Sequence, residues 1–167
     1  SGGELQGIQS HEDVFTTLSA AAGITDIRER IAKGDDLGTG TVKKNYIDGL
    51  NQLDYWTGKI DKSARLEYIY YSESRLQAIR VKQWKMHFYT RDGYYGTTKK
   101  LELPYIYNIR QDPYESYSQF PMLNNNMFQH KTYMFNAAIE RIGAHVGTLV
   151  KYPPKQKAST LSIGDMM

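Results

Sequence analysis

The 167-residue sequence contains no cysteine. That excludes disulfide frameworks, thiolate zinc sites, iron–sulfur clusters and cysteine nucleophiles. Long apolar runs are also missing: stretches such as Leu18 to Ile24 span a few residues, against roughly 18–20 needed to cross a bilayer, so no membrane span is expected. The first residues, Ser1-Gly2-Gly3-Glu4-Leu5, lack the basic stretch and apolar core of a secretory leader, which leaves localisation open. Only four histidines occur, at 11, 87, 130 and 145, and none forms a His-x-x-x-His pair, so no metal site is expected. There is no Gly-x-Ser-x-Gly elbow, Walker loop or Gly-x-Gly-x-x-Gly fingerprint; Gly38-Thr39-Gly40 is a fragment that lacks the third glycine. The sequence shows no catalytic constellation. A net charge of +3 is too small for a dedicated nucleic-acid binder.

What is present fits a folded chain of about one domain, with 40% hydrophobic and 23% charged residues. Charge is unevenly placed: residues 59–100 carry ten Lys/Arg against four Asp/Glu, a local +6, and the rest sums to −3. Such a segment suits an anionic ligand, or is simply a solvated strand face.

Residues 11–22 predict a short helix, with Val14, Phe15, Leu18 and Ala22 on one face, Glu12 and Asp13 at the positive end of its dipole, and Gly23 as the stop. A second turn over 26–33 has Asp26 as N-cap and Glu29 completing a capping box. The glycine-rich stretch Gly34 to Thr41 reads as a loop. Strands are predicted near 66–71, 76–81, 84–89 and 104–108, with a tight turn or bulge at Lys82-Gln83 and an Asp112-Pro113 turn after the last. In the third, Trp84, Met86 and Phe88 alternate with Lys85, His87 and Tyr89, which puts one face in the core and the other in water. From 126 to 151, Phe128, Phe135, Ile139, Ile142, Val146 and Leu149 recur at intervals of three, four or seven, the stripe of a long amphipathic helix ended by Pro153-Pro154. The fold class is therefore α+β: an antiparallel sheet of about four strands packed by a long C-terminal helix. The expected core is Trp84, Met86, Phe88, Phe135, Ile139, Ile142 and Val146.

Five pieces, in order, carry a family resemblance: His11-Glu12-Asp13-Val14-Phe15-Thr16-Thr17-Leu18; Ile47-Asp48-Gly49-Leu50-Asn51-Gln52-Leu53 with Thr57-Gly58; Ser63 to Tyr71; Ala78 to Phe88; and Tyr107-Asn108-Ile109-Arg110-Gln111-Asp112-Pro113-Tyr114-Glu115. Together, from about Gly7 to Pro154, they resemble the C-terminal part of bacterial arylsulfatases. The resemblance implies that residues 1–60, including the short first helix, end a large alkaline-phosphatase-like α/β domain. Residues 61–154 would form the small C-terminal subdomain, and 155–167 a loosely held tail. It also implies hydrolysis of sulfate esters by a formylglycine nucleophile with calcium, in a protein exported or periplasmic if it is like the bacterial family. The formylglycine is made from the first residue of a (Cys/Ser)-x-(Pro/Ala)-x-Arg motif. No serine here begins one: Ser19-Ala20-Ala21-Ala22 is followed by Gly23. No catalytic residue and no calcium ligand carries over to this chain, so by itself it is expected to be inactive, as scaffold and part of the cleft wall. Expected partners are an upstream α/β domain and a sulfate-ester substrate, with self-association through surface that this domain would cover. Candidates for the substrate rim are His87, on the wet face of its strand, and Arg91, Tyr94 and Tyr95 in the loop after it. The alternative is a stand-alone, non-catalytic module that holds a sulfated sugar or other polyanion on segment 59–100.

Overall fold

A computed structural model describes residues 3–36, 38–72, 74–120 and 129–153. Two compact units divide the chain, Ser1–Leu66 and Glu67–Met167.

The first unit holds three helices, α1 (Glu12–Ala21), α2 (Ile27–Lys33) and α3 (Leu53–Trp56). Both predicted helices form, but α1 is turned around. Its buried residues are Asp13, Thr16, Thr17 and Ala20, while Val14, Phe15 and Leu18 are exposed. The reason is a charge pair between segments far apart in sequence. Arg65 Nε donates to both oxygens of Asp13 at 3.1 and 3.0 Å, the Leu50 amide and Gln52 Nε2 add bonds of 2.8 and 3.2 Å, and the Gln52 amide donates to Thr17 Oγ1 at 3.0 Å. A buried carboxylate is tolerated only when paired and hydrogen-bonded, and here it has both. Burial alone would raise the Asp13 pKa, yet the bonds from Arg65, Leu50 and Gln52 and the Arg65 charge hold it below the ordinary carboxylate value. Gly49 passes so close to α1 that a Cβ would strike the Glu12 carbonyl, which accounts for glycine there. At α2, Asp26 occupies the cap position but makes no side-chain capping bond, so the expected capping box does not form.

The second unit is a meander of β1 (Glu67–Ser72), β2 (Arg75–Val81), β3 (Trp84–Arg91) and β4 (Thr98–Asn108), antiparallel in sheet order β1-β2-β3-β4. Lys82 adopts φ 53° in the tight β2–β3 turn. β4 starts six residues before the predicted strand because Thr98, Lys99 and Lys100 pair with Arg91, Thr90 and Tyr89. The register then slips, leaving Pro104, which cannot donate to a ladder, in the bulge.

One sheet face carries the core. Ile69, Ile79, Met86 and Ile106 lie in register across the four strands. The helix α4 (Tyr133–Lys151) covers them with Met134 and Ala138, flanked by Phe135 and Ile142, while Val81, Trp84 and Phe88 pack around the edge. Two expected core positions are corrected: Ile139 is 61% exposed and Val146 44%. They belong to a second apolar stripe turned away from the one that contains Met134, Ala138 and Ile142, and the sheet can cover only one. Leu149, part of the same sequence stripe, is also exposed. Residue Phe128 and the predicted start of this helix at 126 lie outside the described residues.

Candidate functional site

Strand alternation turns a second row of side chains to the opposite face of the sheet. Tyr70, Ala78, His87 and Tyr105 line up across the strands, as do Tyr68, Arg80, Lys85 and Tyr107 beside them. Ala78 is the small member of its row, and the space above it is part of a cavity of about 830 Å³. A bulge between Tyr70 and Tyr71 leaves Gln77 without a partner in β1, and Gln77 also lines the cavity.

The far wall is the segment after β4. Asp112 accepts from Ser116 Oγ at 2.8 Å and from the Tyr117 amide at 3.0 Å, folding residues 116–119 into a 3-10 turn. Burial pushes the Asp112 carboxyl up, but the bonds from Ser116, Tyr117 and Tyr114 outweigh it and hold the pKa below the ordinary value. The turn sets Glu115, at φ 55°, against β3. One carboxylate oxygen is 2.5 Å from Lys85 Nζ and the other 2.6 Å from His87 Nε2. The His87 contact is close but out of line, since Nε2 has no correctly directed hydrogen bond. Lys85 Nζ also sits 4.5 Å from the centre of the Tyr70 ring, a cation–π contact, and His87 meets Tyr107 edge-to-face. Burial pushes the His87 imidazole below its usual pKa and the Lys85 charge adds to this, against the opposing pull of Glu115. The arrangement offers hydrogen bonds, aromatic surface and cations. Among the described residues no group of three His, Asp or Glu side chains could hold a metal ion.

The four rim candidates fall in two places. His87 and Arg91 line the cavity, and Arg91 Nε donates to the Gly96 carbonyl at 2.6 Å. Tyr94 and Tyr95 stand on the β3–β4 loop, 73% and 95% exposed, in edge-to-face contact with each other. The period-two pattern of β3 already puts Lys85 and His87 on one face. What it could not supply is Glu115, which reaches them from 30 and 28 residues away in sequence.

The family pattern described as the C-terminal region of aryl-sulfatase matches residues 63–164. This chain belongs to that family. Among solved structures it is similar to the PsFucS1 sulfatase from Pseudoalteromonas sp., with a TM-score of 0.55 and 22% identity over 66% of this chain. At that identity the likeness concerns the fold. The alignment spans 22% of the Pseudoalteromonas chain, so this sulfatase C-terminal region corresponds to about a fifth of that protein's length. Among curated proteins none matches.

Proposed function

We propose that this chain is the C-terminal part of an enzyme that hydrolyses sulfate esters, and that the formylglycine nucleophile and calcium are held by an upstream α/β body. The observation that carries this reading is the family match across the sheet and α4. The described residues do not fit a calcium site, since no three of their His, Asp or Glu side chains come together to hold a metal ion, and the sequence has no cysteine and no serine in the motif that formylglycine requires. This chain's own part is to bind and orient. The sheet face bearing His87, Lys85 and Glu115 and the loop bearing Tyr94 and Tyr95 form a wall against which the non-reacting portion of a substrate rests, spending remote binding energy on orientation at the reacting sulfate.

Two assays test this. The 167-residue chain should show no calcium-dependent turnover of an aryl sulfate ester, and the gene's longer polypeptide, carrying a (Cys/Ser)-x-(Pro/Ala)-x-Arg motif, should show it; turnover by the isolated chain refutes the division of labour. In the longer polypeptide, replacing His87, Arg91, Tyr94 or Tyr95 by alanine should lower kcat/KM on a large sulfated substrate by about tenfold, about 1.4 kcal/mol, with little change on a small aryl sulfate. If all four variants treat both substrates as the parent does, these residues are scaffold.

A further inference from the structure

The turn that walls the sheet cavity is tied to β3 by a shared carboxylate. Its base is firm: the Asp112 amide donates to the Asn108 carbonyl at 2.8 Å at the end of β4, and the Asp112 carboxylate accepts from Ser116 and Tyr117. Beyond that base, Glu115 reaches Lys85 with one oxygen and His87 with the other. The Glu115 backbone sits at φ 55°, a left-handed conformation that costs energy in a residue with a Cβ. Such a conformation persists only while its surroundings hold it, and here Lys85 and His87 do the holding. The His87 end of the tie is incomplete. Nε2 is buried and lies 2.6 Å from the carboxylate, yet no correctly directed hydrogen bond joins them. A proton added to this imidazole puts a charge on a shielded ring, beside the Lys85 ammonium and with no in-line acceptor at Nε2.

The other groups on this face do not relieve that cost. Arg80 of β2 is a further cation, paired across the strands with Lys85, and Arg91, Lys99 and Lys100 add positive charge at the far end of the cavity. Tyr68 and Tyr70 of β1, Tyr89 of β3, and Tyr105 and Tyr107 of β4 present phenol rings. The turn supplies two carboxylates, Glu115 and Asp112, and Asp112 is already bonded to Ser116 and Tyr117. Of these side-chain types only the imidazole ordinarily changes charge between pH 5 and 8. Lifting the turn lets water solvate the imidazolium, so acid favours the lifted state. We propose that residues 113–119 are a strap, hinged at Asp112, that lifts from the sheet when His87 takes up a proton, so that the width of the cavity depends on pH. Burial lowers the His87 pKa in the closed arrangement, against the pull of Glu115, which is the sign that opening by acid requires. That the strap controls a catalytic wall rests on reading the chain as part of a sulfate-ester hydrolase; the opening itself does not.

The test reads the opening without turnover, so its failure leaves the hydrolase reading to be judged by the assays above. Backbone and histidine-ring NMR spectra of the 167-residue chain are recorded from pH 7.5 to 5. The His87 imidazole should titrate below its ordinary value of about 6.5, and the amide shifts of residues 113–119 should follow the same curve. Relaxation dispersion at those amides should give an open population at pH 5 about fivefold or more above that at pH 7.5. Glu115→Gln removes the charge of the tie and should show the open shifts already at pH 7.5, and the parent chain should move toward that pattern as pH falls. His87→Gln, neutral at every pH, should keep the closed shifts throughout. Strap shifts that ignore the His87 curve describe a histidine titrating under a fixed turn and overturn the proposal. Opening that persists in His87→Gln overturns it by assigning the effect to another group, and a Glu115→Gln chain with closed shifts overturns it even where His87→Gln does not fold. An imidazole that titrates above about 6.5 means that the closed strap holds the proton, and overturns it too.

Discussion

Asp13 shows how one residue can set the orientation of an element. On α1 it lies beside Val14, Phe15 and Leu18, which local pattern alone would bury, yet the carboxylate goes inside and they stay outside. Its partner Arg65 is 52 residues away, a contact that no periodicity encodes. Removing that partner should be costly: Arg65→Met leaves a buried, uncompensated charge, and a loss of about 3–5 kcal/mol is expected, measured as faster amide exchange throughout α1. His87 allows a pH test at the same scale. Because burial lowers its folded pKa, the unfolded chain takes up a proton, as pH falls through about 6.5, that the folded one refuses. The stability involved is therefore complete above that pH and declines below it. The protection factors of the β2 and β3 amides, taken against the intrinsic exchange rate at each pH, should fall from pH 7.5 to 5, and His87→Gln should abolish the fall. A fall that survives the substitution would assign it to another group. Asp13 and Asp112, whose folded pKa values are also lowered, act in a separate window: their stabilisation is present above about pH 4 and is lost as pH falls below it.

Among the elements, legibility followed the range of the interactions. The four strands and their antiparallel order could be read from alternation and turn residues, because a half-buried strand writes its burial into every second position. Lys85, on the wet face of its strand, and Glu115, after the Asp112-Pro113 turn, come together only in the structure. The helix was legible in kind but not in rotation. α4 carries two apolar stripes, and only the shape of the sheet selects Met134, Ala138 and Ile142 over Ile139 and Val146. A matched pair of substitutions checks the selection. Ile79→Ala, at 1% exposure, should cost about 2–5 kcal/mol, whereas Ile139→Ala, at 61% exposure, should change stability by no more than about 0.5 kcal/mol. Urea unfolding of both variants, read by far-ultraviolet circular dichroism, supplies the comparison. A large loss at Ile139 would mean that the outer stripe is covered in solution.

At the scale of the whole molecule, the outward-facing side chains become the informative ones. Single exposed apolar residues are ordinary, but contiguous apolar faces on a soluble chain mark contact surfaces. Phe15 and Leu18 stand 51% and 59% exposed on α1, and Val150 79% on α4. Under the proposed function, the α1 face meets the upstream body of the longer enzyme; in the chain alone it meets water. Burying one large apolar side chain is worth roughly 1.5–3 kcal/mol, so two such residues on each of two copies outweigh a modest part of the cost of association, enough for weak, concentration-dependent self-association rather than an obligate dimer. The net charge of +3 opposes this only feebly. Light scattering coupled to size exclusion should therefore show an apparent mass rising with loading from micromolar to several hundred micromolar. Phe15→Glu/Leu18→Lys, which leaves the inward Asp13, Thr16, Thr17 and Ala20 face untouched, should return the chain to the monomer mass with an unchanged circular dichroism spectrum. In the longer enzyme the same double substitution should instead destabilise the fold, because there the face is proposed to be covered. A parent chain that stays monomeric across the whole range would show that this face is wetted without consequence.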